Sequence, residues 1–156
     1  MKGNPKILKE LNLLLAEELT AINQYMVHAE MAEDWGYDKL HDVAQKRAID
    51  EMKHAEKLIA RILFLEGRPT VSKLNDIHIG DDVPKQVGND VKAEYDAVKH
   101  YNAVIGLCAA EGDSTTREML QGIEKEEEDH VDTLETQLGQ IDQMGLAQFL
   151  ATQTKG

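Results

Sequence analysis

Glu51-Met52-Lys53-His54 and Glu127-Glu128-Asp129-His130 each set a carboxylate and an imidazole three residues apart. On a helix that spacing puts both side chains on one face. Glu18 lies 33 residues before the first pair, and Glu94 lies 33 residues before the second. A constant offset of 76 residues therefore links Glu18 to Glu94, Glu51 to Glu127 and His54 to His130, and it also links Tyr25 to Tyr101, Gly36 to Gly112 and Leu58 to Leu134. Two related helix pairs, each supplying half of one site, account for the pattern. Four glutamates and two histidines form a mixed oxygen and nitrogen donor set that suits two iron or manganese ions.

The elements that must position these groups are legible as helices. Asn4-Pro5 is a helix start, with Asn as cap and Pro at the first helical position. The sequence predicts helices over about 5–34, 38–65, 83–111, 114–143 and 146–152, within a single domain spanning 1–156. The first seam reads Leu11, Leu15, Glu18, Ile22, Tyr25, Ala29, stepping by three and four residues as bundle helices do. The second reads Leu40, Ala44, Arg47, Glu51, His54, Leu58, the third Val83, Val87, Asp90, Glu94, Ala97, Tyr101, Val104, Cys108, and the fourth Leu120, Ile123, Glu127, His130, Leu134. Asp38 is read as the cap of the second helix, Asp82 with Pro84 as the start of the third, and Asp113 or Ser114 as the cap of the fourth.

Each chemical residue thus sits where a core side chain belongs. Unpaired buried carboxylates are costly enough to shift their pKa or unfold a bundle, so four together call for cations. A lone Glu-x-x-His on a charged helix is ordinarily a solvated pair. Two such pairs, two further seam glutamates and one common offset are a different matter. Tyr25 and Tyr101 follow the seam glutamates Glu18 and Glu94 by seven residues, two turns along the same face, where each phenol can reach a ligating carboxylate.

The second helix carries another apolar stripe, Ile49, Met52, Ile59, Leu63, about 100° round the cylinder. It is expected to face a partner subunit. Residues 66–82 form the longest connection, expected to pack through Val71, Leu74, Ile77 and Ile79. Seventeen residues reach roughly 55 Å when extended, enough for a crossover between the second and third helices.

Composition bounds the rest. Asp and Glu outnumber Lys and Arg by 29 to 17, which disfavours nucleic acid and favours cations; such an excess also serves as a plain solvated surface. The single cysteine, Cys108, excludes an intrachain disulfide and reads as a buried thiol in a reducing compartment. No apolar run approaches the ~20 residues of a membrane span, and the polar N-terminus is unlike a signal peptide. A cytoplasmic location is the expectation.

The ligand set of two lone Glu and two Glu-x-x-His pairs resembles that of ferritin-like di-metal bundles. Met1-Lys2-Gly3, ELTAINQY at 18–25, IDEMKHA at 49–55, RILFLEG at 61–67 and DTLETQL at 132–138 resemble the bacterioferritin family along the whole chain. The resemblance implies an all-α, ferritin-like four-helix bundle with a long crossover between helices 2 and 3 and a short fifth C-terminal helix. It implies a homo-oligomeric cage of 24 chains, built from dimers that share a haem b, with iron mineral stored inside. It also implies a di-iron ferroxidase centre of Glu18, Glu51, His54, Glu94, Glu127 and His130, with Glu51 and Glu127 bridging. Fe(II) would be the substrate, dioxygen or peroxide the oxidant, and a ferredoxin a candidate electron donor. Met52, one from each of two chains, would ligate the haem. Asp50 and Glu126 are candidate inner-surface iron contacts. Lys46 departs from the histidine that several members carry beside Asp50, and Thr133 departs from a tryptophan found in some. A rubrerythrin-like peroxidase is disfavoured because the chain has no Cys-x-x-Cys. A non-enzymatic, haem-carrying structural subunit co-assembled with a catalytic chain is opposed by the complete set of six ligands. A di-manganese catalase and a haem-free ferritin are further rivals, the latter opposed mainly by Met52.

Overall fold

The computed structural model describes residues 1–155. Its elements in order are α1 (Pro5–Asp34), α2 (Asp38–Phe64), α3 (Val83–Ala110), α4 (Ser114–Met144) and α5 (Leu146–Ala151). The expected all-α bundle, with its long crossover and short fifth helix, is the fold observed. α1 packs against α2, α3 packs against α4, and α1 also meets α3.

Local chemistry explains the boundaries. Asn4 accepts the Lys6 N–H at 2.8 Å ahead of Pro5, Asp82 accepts the Lys85 N–H at 2.9 Å, and Asp113 accepts the Thr116 N–H at 3.0 Å. The second helix departs from expectation. Asp38 is its first residue rather than its cap, and Tyr37 before it offers no side-chain bond. Asp38 contributes as a negative charge in the first turn instead. Gly36 and Gly112, the offset pair, have φ of 84° and 77°, and only glycine takes that conformation without strain.

Two apolar clusters fill the bundle. One holds Ile7, Leu11, Leu14, Leu15, Leu58, Ile62, Cys108, Leu120 and Ile123. The other holds Ala32, Leu40, Val83, Val87, Val91 and Leu134, closed by Phe149 of α5. Cys108 is buried as a free thiol, as its seam position predicts. Between the clusters lies a polar belt that interrupts the core.

The crossover is docked differently from expectation. Val71, Leu74, Ile77 and Ile79 point outward, at 39–58% exposure. Backbone N–H groups hold the segment instead. Asn12, Thr20, Gln24 and His28, spaced in multiples of four along α1, accept the N–H of Thr70, Asn75, His78 and Gly80 at 2.8, 2.8, 3.0 and 3.0 Å. One face of α1 thus satisfies backbone donors that would otherwise be stranded beneath the chain. Gly80 must be glycine for this approach, because a Cβ there would lie 2.4 Å from the Gln86 nitrogen.

Candidate metal centre

The polar belt is where the six seam residues converge. Glu18, Glu51, His54, Glu94, Glu127 and His130 are each at most 8% exposed. Their donor atoms form two compact groups, Glu18-Glu51-His54-Glu127 and Glu51-Glu94-Glu127-His130, and within each group the atoms lie within 4.8 Å of one another. Each group is one lone glutamate, one histidine and the same two glutamates, Glu51 and Glu127. The 76-residue offset exchanges the two groups. His54 Nδ1 lies 2.8 Å from Glu127 and 3.6 Å from both Glu18 and Glu51. His130 Nδ1 lies 3.0 Å from Glu51, 3.3 Å from Glu94 and 3.7 Å from Glu127. The ring centroids are 6.3 Å apart.

These short distances are not matched by hydrogen-bond alignment. Glu18 Oε2, Glu51 Oε1, Glu94 Oε2, both Glu127 oxygens and both Nδ1 atoms are buried without a hydrogen-bond partner. Buried polar atoms are almost always satisfied, so seven unsatisfied atoms aimed into one volume mark a donor set shaped for cations. Two cations bridged by Glu51 and Glu127 would satisfy it.

Electrostatics agree with the geometry. Burial, followed by repulsion from Glu18, Glu94 and Glu127, pushes the Glu51 carboxyl well up, and burial with Glu18 and Glu94 does the same to Glu127. Burial would lower the His54 imidazole, yet contact with Glu127 and Glu18 overrides it and lifts the group to about 11. For Glu94 burial pushes upward, but His130 and its other partners bring the carboxyl below its ordinary value. Without cations the site must thus be populated by protons, which metal binding would displace.

The surrounding contacts obey the same offset. Tyr25 donates to Glu94 at 2.6 Å and Tyr101 donates to Glu18 at 2.5 Å, so each phenol serves the glutamate of the other half. His54 Nε2 meets Glu126, and His130 Nε2 lies 3.0 Å from Asp50. Those two carboxylates, candidates for inner-surface iron contact, are also 76 residues apart. A cavity of about 380 Å³ between α1 and α3, beneath Asn75 and His78 of the crossover, reaches Glu18, Tyr25 and Glu51.

One buried network has no place in the sequence-based site. Arg47 Nη2 donates to Asp90 at 3.0 Å, Gln24 donates to the same carboxylate at 2.8 Å, and His28 Nδ1 lies 2.9 Å from it. Gly80 donates to His28 Nε2, so Nδ1 carries the ring proton toward Asp90. The Arg47 guanidinium lies 4.7 Å from the Tyr25 ring centroid, a cation–π contact. Arg47 and Asp90 both occupy apolar seam positions, and opposite charges there were the available signal. Met52 lies away from the centre, on α2 at 47% exposure with Ile49 at 43% beside it.

Comparison with known proteins settles the lineage. A family profile described as the ferritin-like domain matches residues 8–144. The bacterioferritin of Rhodobacter capsulatus is 43% identical over 145 residues, covering 93% of this chain and 90% of that protein. The chain belongs to the bacterioferritin family. Its similarity to the bacterioferritin of Mycobacterium avium is 38% over 151 residues, covering 97% of the chain and 95% of the relative. That of Brucella melitensis is 39% identical over 145 residues, covering 93% and 90%. Family membership and the buried glutamate–histidine belt converge on the same chemistry. No helix among the described residues is long and apolar enough to cross a membrane.

Proposed function

We propose that this chain stores iron and oxidises it, taking Fe(II) as substrate at the centre of Glu18, Glu51, His54, Glu94, Glu127 and His130. One observation carries the reading: two cation-sized donor groups share Glu51 and Glu127. Bridging carboxylates hold two irons close enough for one oxidant to take an electron from each. With peroxide, two electrons and two protons give two waters. Glu18 and Glu94 complete one position each, and Tyr101 and Tyr25 keep their carboxylates oriented. Hard carboxylate oxygens favour the ferric product over the ferrous substrate. The α1–α3 cavity gives substrate and oxidant a way to Glu18 and Glu51.

The ferric product is stored as mineral in a cage of 24 copies in the cytoplasm, with the single domain of 1–156 as its unit. Asp50 and Glu126 serve as candidate contacts for iron passing to the interior. Haem b would lie against the Ile49–Met52 face of α2, whose exposure supports the reading, with a soft thioether from each of two chains as its ligands. The group would supply electron transfer, with a ferredoxin as donor.

Aerobic Fe(II) titration of the purified apo-protein tests the reading. A fast phase ending at two irons per chain, followed by uptake far beyond two, is expected. Saturation at two would replace storage by a peroxidase-type reaction at the same centre. Glu127→Ala should abolish the fast phase, and an unchanged rate would sink the assignment.

A further inference from the structure

The 76-residue offset makes each half of the centre a control for the other, and the halves differ behind the histidines. Asp50 and Glu126 are offset partners, each against the Nε2 of one histidine. A carboxylate in that position fixes the ring and strengthens its other nitrogen as a donor. On the His130 side this help is shared. Lys46 Nζ lies 3.2 Å from Asp50 Oδ2, the oxygen that also meets His130. The offset partner of Lys46 is Gly122, and no Lys or Arg pairs with Glu126 among the described residues. The next residue repeats the difference. Arg47 forms a buried pair with Asp90, whereas their offset partners are Ile123 and Leu14. Both basic residues of this stretch of α2 thus serve one half of the centre.

We propose that the two cation positions are unequal: the Glu18/His54 position, backed by an uncompensated Glu126, binds the first divalent cation, and the Glu94/His130 position, whose Asp50 is held by Lys46, binds the second. Lys46 and Glu126 are then positioning residues that set the order of loading. The inference rests on the two-metal reading above. Lys46 is 78% exposed at its side chain, so its effect is screened, and a two- to tenfold difference in affinity is about what one such charge supplies. Added salt should narrow it.

The test is cobalt(II) titration of the apo-protein, followed by ligand-field absorption, with no turnover involved. Wild type should fill in two steps separated beyond the statistical ratio for two identical positions. Lys46→Gln should tighten the second step about two- to tenfold and leave the first in place, and Glu126→Gln should weaken the first. His54→Ala should remove the tight step and His130→Ala the weak one. Equal steps in wild type, a Lys46→Gln titration identical to wild type, or loss of the tight step in His130→Ala would each overturn the proposal. Failure of the two-metal reading looks different: wild type would bind fewer than two cobalt ions and match Glu127→Ala.

Discussion

Tyr101 of α3 donates its phenolic hydrogen to Glu18 of α1 at 2.5 Å, with both side chains buried. The bond crosses the bundle to a glutamate that its own helix pair does not supply. Tyr101→Phe removes only the hydroxyl, so packing survives while Glu18 loses its orienting donor. Metal affinity at that position is expected to fall about tenfold or more, read by cobalt titration with unchanged helical circular dichroism. Undiminished affinity would make the phenol a packing group alone.

Met52 offers a separable prediction because it lies outside the polar belt, half-exposed on α2. Met52→Leu should abolish the haem absorption bands of protein reconstituted with haem, leaving sedimentation and Fe(II) oxidation intact. A normal haem spectrum in that variant would refute the ligand.

The Arg47–Asp90 pair is buried at 5% and 3% side-chain exposure. Removing Arg47 takes the guanidinium from a buried carboxylate that keeps only Gln24 and His28 as partners, so Arg47→Met should cost about 3 kcal/mol, read as a lower thermal midpoint of the apo-protein. Arg47→Met combined with Asp90→Asn should recover part of that loss, because no full charge is then left unpaired.

His100 yields a pH dependence away from the centre. Hydrogen bonding to Glu17 at 2.6 Å, opposed by burial and assisted by Glu10 at 3.0 Å, lifts its imidazole to about 9. A raised group stabilises fully below its unfolded value near 6.5 and loses that contribution as pH climbs through its folded value. The thermal midpoint of wild type should exceed that of His100→Gln at pH 6, and the gap should close between about pH 6.5 and 9. A gap constant to pH 10 would remove the ion pairs between α1 and α3 as its cause. Burial pushes the carboxyl of its partner Glu17 upward despite His100.

The centre was legible in the sequence because its residues violate a strong pattern. Glu18 or Glu127 in an apolar seam stands out, and the offset ties the exceptions together. Resemblance supplied what spacing does not: the bridging role proposed for Glu51 and Glu127 and the haem ligation proposed for Met52. The Asn12–Thr20–Gln24–His28 ladder was not legible. Its members accept backbone N–H groups, which every residue but proline possesses, so the crossover carries no mark of the pairing. The apolar residues of that segment suggested burial, yet a docked backbone leaves its side chains free to face outward. The cap of α2 failed for a related reason: one polar residue fits equally well just before a helix or as its first member.

The docking of the crossover has a bearing on redesign. Every tether between α1 and the segment from Thr70 to Gly80 uses a main-chain hydrogen of the crossover. The identities of Val71, Leu74, Ile77 and Ile79 are therefore uncoupled from the hold. Between the tethers at Thr70 and Asn75 lies a short interval that α1 does not grip through this ladder. A foreign peptide grafted there would be displayed on a strap already fastened at both ends, clear of the buried glutamate–histidine belt beneath.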